Sequence, residues 1–124
     1  MRARFVNRVN ELKALEEWWS SGKPHFIVVY GRRRIGTTRL LKEFLKDKKH
    51  VYYLCRLTSH EVNLSRLVAR TSSTLNLKGL EKAKFNTLND FLEILSSLIK
   101  DRIAIVLDEF TYWVRASPQV LSEL

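Results

Sequence analysis

Two short stretches hold the residues whose types and spacing could do chemistry. The first is Gly31-Arg32-Arg33-Arg34-Ile35-Gly36-Thr37-Thr38, placed between the apolar run Phe26 to Tyr30 and a helical pattern. It nearly fits G-x-x-x-x-G-K-[ST], a loop in which glycines let the backbone wrap a phosphate, amides and a helix N-terminus hold the anion, lysine reaches the outer phosphates and the hydroxyl ligates magnesium. Gly31, Gly36 and Thr38 match, and Thr37 stands where the lysine belongs. The second is Asp108-Glu109, which closes the apolar run Ile103 to Leu107. An acidic pair at a strand end suits a Walker B role, in which the aspartate holds the magnesium shell and the glutamate orients or deprotonates the attacking water. Taken alone, such a pair is more often a solvated turn. The odds change because it falls 70 residues after Thr38, at the strand end where the loop also opens.

The elements that must position these residues alternate. Val9, Leu12, Leu15 and Trp18 or Trp19 keep helical spacing from Asn7, a candidate cap, to Trp19, with Ser20-Ser21-Gly22 as the stop. Phe26 to Tyr30, Val51 to Cys55 and Ile103 to Leu107 are short, β-branched or aromatic runs of the kind found in strands covered on both faces. Between them the pattern predicts a helix through Leu40, Leu41, Phe44 and Leu45. A second helix opens on a Thr58/Glu61 capping box, and a third starts at Thr87 with Asp90 and runs through Leu88, Phe91, Leu92, Leu95, Leu98 and Ile99. Ser117-Pro118 predicts one more helix start. Three strands with helical crossovers predict an α/β fold with a mainly parallel sheet, helices on both faces, and the ligand site beyond the strand C-termini.

Composition narrows the rest. The chain has 124 residues, 45% hydrophobic and 28% charged, with four glycines and two prolines, so a single packed domain is expected and collagen-like or wholly disordered classes are excluded. No run is long and apolar enough for a membrane span, and the single Cys55 cannot form an internal disulfide, which predicts a soluble, cytoplasmic protein. The net charge of +9 is concentrated in residues 1–50, which carry +8, while residues 101–124 carry −2. Such an excess attracts a phosphate-bearing partner, a nucleotide or a nucleic acid, or it is a solvated face that keeps the protein soluble. His25, His50 and His60 lack ligand-like spacing. Trp18, Trp19, Trp113, Tyr52 and Tyr53 suit core packing better than base stacking, and Cys55 suits a small buried hydrophobe.

Phe5-Val6-Asn7-Arg8 with Glu11-Leu12, the loop from Val29 to Gly36, Tyr52-Tyr53, and Ile105-Val106-Leu107-Asp108-Glu109-Phe110 together resemble the archaeal ATPase family, AAA-like and STAND-related P-loop NTPases. The resemblance implies a three-layer P-loop ATPase domain that binds and hydrolyses Mg-ATP. Its Phe5 to Leu12 segment lies near the adenine, its Gly31 to Thr38 loop, with Arg39 beside it, holds the phosphates, Thr38 and Asp108 hold Mg2+, and Glu109 is catalytic. Residues 1–24 would be an N-terminal helix segment and 25–124 the nucleotide-binding core. The chain departs from the family at Thr37, and the stretch after Asp108-Glu109 is too short for the further strands that carry a polar sensor and an arginine. A domain cut after the Walker B strand, with weak binding and little or no hydrolysis, is therefore expected. Arg32, Arg33 and Arg34 precede Gly36, and Arg39 falls on another side of the helix from Thr37, so none replaces the lysine. DNA, another protein or a second copy are candidate partners, and a nucleic-acid-binding module or a nucleotide-independent scaffold are the rival functions. In the family the two motif strands have the sensor strand between them. Without it, the chain is expected to be poorly stable, to bring the two strands into direct contact, or to recruit a strand from another molecule.

Overall fold

The computed structural model describes residues 3–7, 11–21, 26–31 and 35–123. In chain order these form β1 (Ala3–Asn7), α1 (Glu11–Ser21), β2 (Phe26–Gly31), α2 (Ile35–Leu45), β3 (His50–Leu54), α3 (His60–Leu75), α4 (Leu88–Leu98), β4 (Ile103–Asp108) and α5 (Phe110–Ala116). Short 3-10 turns lie at Leu80–Lys82 and Pro118–Glu123. One four-stranded sheet has the order β1-β2-β4-β3, with every pairing parallel.

Strand alternation sorts the core into two layers. Ile27, Val29, Ala104 and Val106 point to one face, where Leu15 and Trp18 of α1 and Leu41 and Leu45 of α2 cover them. Val28, Val51, Tyr53, Ile105 and Leu107 point to the other, against Leu64, Leu67 and Val68 of α3, Phe91, Leu92 and Leu95 of α4, and Phe110 and Trp113 of α5. All six residues of β4 are buried, which is why that run contains no polar residue until Asp108. Two N-caps fix helix starts: Ser59 Oγ accepts from the Val62 amide, and Thr87 Oγ1 accepts from the Asp90 amide. The cap of α3 is thus Ser59, one residue after the expected Thr58, while the expected Thr87 start is the observed one.

Three expectations change. Residues 3–7 form a strand, not the approach to a helix: they pair with β2 from Ala3 opposite Phe26 to Asn7 opposite Tyr30, and the first helix starts at Glu11. The two motif strands are direct neighbours, in register from Phe26 opposite Ile103 to Gly31 opposite Asp108, so the sheet has no central gap. Direct contact is one of the three outcomes that a missing intervening strand allows, and it satisfies the backbone that a gap would leave unpaired. Trp19 is 46% exposed, whereas Trp18 and Trp113 are core residues.

Candidate functional site

The pairing of β2 with β4 sets Gly31 level with Asp108, and β3 brings Leu54 to the same level. Gly31 has φ 145°, a conformation open to glycine, at the point where β2 gives way to the loop. Arg32, Arg33 and Arg34 lie outside the described residues. The backbone resumes as helix at Ile35, so Gly36 and Thr37 occupy the first turn of α2, and the helix starts four positions after the Gly31 that ends β2. The side chains of Ile35 and Thr37 are outside the described set, and Arg39 is exposed.

Asp108 continues the alternation of Ala104 and Val106, so its carboxylate turns toward the face covered by α2. There it is fully buried. Thr38 Oγ1, itself 4% exposed, donates to Asp108 Oδ2 across 3.4 Å. The structure thus brings together two residues 70 positions apart that were singled out for the same metal. Asp108 Oδ1 accepts from the Glu109 amide at 2.9 Å, and the Asp108 carbonyl accepts from the Cys55 amide at 2.8 Å, so both ends of the aspartate are held.

Glu109 adopts a left-handed backbone, φ 53° and ψ 45°, at the N-terminus of α5. For a non-glycine residue this conformation costs on the order of 1–3 kcal/mol, and such residues concentrate at functional sites. Its carboxylate is aimed by Thr111, whose Oγ1 donates to Oε1 at 2.5 Å. Burial pushes the Cys55 thiol well above its ordinary value, and the nearby Asp108 and Glu109 carboxylates push it further, so Cys55 is a protonated core residue.

Tyr52 was assigned to packing, and it does more. Its hydroxyl donates to the same Asp108 Oδ2 that Thr38 approaches, while Lys42 Nζ stands 4.3 Å from its ring centre. Tyr52 pairs with Val106 and shares its face, so it lies two residues short of the carboxylate on the neighbouring strand. The two described histidines take structural roles: His60 accepts from Trp113 Nε1 at its Nδ1 and meets the Asn86 carbonyl at Nε2, and His50 Nδ1 lies 2.8 Å from the Lys48 carbonyl, while His25 lies outside the described residues. Among the described residues no three His, Cys, Asp or Glu side chains converge as a metal site. The oxygens of Thr38 and Asp108 still suit a hard cation of the magnesium type, which commonly takes one or two protein oxygens and completes its shell with phosphates and water.

A parallel sheet covered by helices on both faces, with a glycine-ended strand, a loop and a helix beside an aspartate strand end, defines an α/β domain of the P-loop NTPase kind. The chain belongs to the family of ATPase domains found predominantly in Archaea, whose model matches residues 5–124. It is similar to an uncharacterized protein of Methanocaldococcus jannaschii, 36% identical over 118 residues, which is 95% of this chain and 24% of that protein. It is also similar to an uncharacterized ATP-binding protein of the same organism, 53% identical over 45 residues, 36% of this chain and 76% of that protein. The chain thus spans about a quarter of the length of the first relative. No solved structure matches it. No described helix is long and apolar enough to cross a membrane.

Proposed function

We propose that this chain is an ATP-binding domain whose phosphate site lies between the first turn of α2 and the end of β4. The observation that carries the reading is the meeting of Thr38 and Asp108 beside Gly31 at the C-terminal edge of the sheet. The ATP-binding relative and the family match support the same ligand. The Gly31 to Thr38 backbone would cradle the phosphates, with Arg32 to Arg34 and Arg39 supplying positive charge nearby. Thr38 and Asp108 would hold Mg2+, which when bound offsets the charge on the phosphate oxygens. Tyr52 orients the Asp108 carboxylate, and Thr111 holds Glu109 where it can accept a proton from water. Asn7 is paired with Tyr30, one residue before Gly31, so β1 ends beside the end of β2, which supports an adenine contact for residues 5–12. Hydrolysis belongs to the same reading, at a rate kept low by the missing lysine.

Thermal melting tests it. At Mg-ATP ten times its dissociation constant the domain gains about 1.4 kcal/mol, an upward shift of roughly 4–6 °C. Chelating magnesium should remove most of that shift. Asp108→Asn, which keeps the side-chain shape, should remove it too. Equal protection of the wild type and Asp108→Asn, with and without magnesium, would contradict the assignment.

A further inference from the structure

A groove of about 450 Å³ opens at the outer edge of the sheet, lined by Tyr53 and Leu54 of β3, by Arg56 just beyond it, and by Arg66, Arg70 and Ser73 on α3. Among the described residues β3 is the last strand of the sheet and pairs only with β4. Arg66 and Arg70 are four residues apart, so they stand on one helix face about 6 Å apart along the axis. All three arginines are exposed, and none has a carboxylate partner among the described residues. Ion pairs elsewhere join Lys46 with Glu43, Lys48 with Asp47 and Lys49 with Asp101.

The groove is fixed in shape by a buried amide. Asn63, fully buried on α3, accepts at Oδ1 from the Tyr53 hydroxyl at 2.6 Å and from the Arg56 amide at 3.0 Å, and its Nδ2 donates to the Arg56 carbonyl at 2.9 Å. Burial pushes the Tyr53 hydroxyl up to about 12, which keeps it a donor in this clamp. The main chain that carries Arg56 is therefore pinned to the helix that carries Arg66 and Arg70. Three arginines thus line one groove with no carboxylate partner among the described residues, which leaves their guanidinium donors open to an anion.

We propose that this groove binds the phosphodiester backbone of a nucleic acid without reading its bases. Guanidinium forks match phosphate oxygens, and a chain of net charge +9 draws a polyanion to the surface. Base stacking has no platform here, because the one aromatic of the groove, Tyr53, is buried and set edge-on against Trp113. An acidic peptide added to β3 is the weaker fit, since beside the three arginines the groove offers only Leu54 and Ala69 as aliphatic contacts for its side chains. Arg66 and Arg70 stand on α3, whereas the Thr38–Asp108 pair faces α2, and Leu54 is the groove residue level with Asp108.

Fluorescence anisotropy of a labelled random-sequence DNA duplex, titrated at several NaCl concentrations, decides the matter. Arg66→Gln with Arg70→Gln should weaken binding about tenfold or more at low salt and make the plot of log K against log salt shallower by about 1.8, two phosphate contacts' worth. Arg66→Lys with Arg70→Lys should keep most of the slope, and Lys46→Gln with Lys78→Gln, exposed elsewhere, should leave it unchanged. The exposed positions keep the fold, which an unchanged melting curve verifies. The proposal is overturned if the wild type does not bind DNA, if the lysine control loses as much slope as the arginine variant, or if a polyglutamate peptide binds the groove as tightly as DNA.

Discussion

Replacing Thr37 by lysine should raise Mg-ATP affinity at least about tenfold, because it restores the one charged donor that the loop is built to present. Position 37 is the third residue of α2, in the turn that follows the loop. A charge-assisted hydrogen bond is worth roughly 1.5–3 kcal/mol, which corresponds to about ten- to over a hundredfold in affinity. The same donor acts on charge that develops during phosphoryl transfer, so turnover should gain more, by about 10²–10³. Calorimetric titration of both forms with Mg-ATP measures the first effect. Equal affinities would mean that the loop does not hold phosphates in this chain.

In the Thr37→Lys background, Glu109→Gln should lower ATP turnover by at least about a hundredfold while leaving Mg-ATP binding within a few-fold. Glutamine keeps the shape of the side chain and its contact with Thr111, and it cannot take a proton from water. The left-handed backbone of Glu109 is unchanged by this substitution, so a loss of turnover is chemical in origin. Phosphate release measured beside a binding titration separates the two effects. A variant that binds poorly and still turns over would reverse the roles given to Asp108 and Glu109.

The strands that carry the site were legible in the sequence because burial on both faces leaves an unbroken apolar run: Phe26 to Tyr30 and Ile103 to Leu107 each fall short of the observed strand by one residue, the Gly31 or Asp108 that carries the motif. β1 was not legible. Ala3 to Asn7 contains only two large apolar residues, and an edge strand, paired on one side, carries a weaker apolar signal than a central one. The direct pairing of β2 with β4 could not be read either, because strand order follows from which buried faces fit together and not from local pattern. Tyr52 and the Asn63 clamp were hidden for a related reason. Tyr52 meets a carboxylate 56 residues away on the neighbouring strand, and Asn63 looks like an ordinary polar helix residue until Tyr53 and Arg56 close on it.

Hydrogen exchange of the wild-type chain with and without saturating Mg-ATP is the most direct test of the phosphate site, since ATP as an anion could also enter the arginine groove. This phosphate site predicts new protection at residues 31–39 and around Asp108 and Glu109, with residues 66–73 of α3 unchanged. Protection confined to residues 54–73, with none at 31–39, would contradict it.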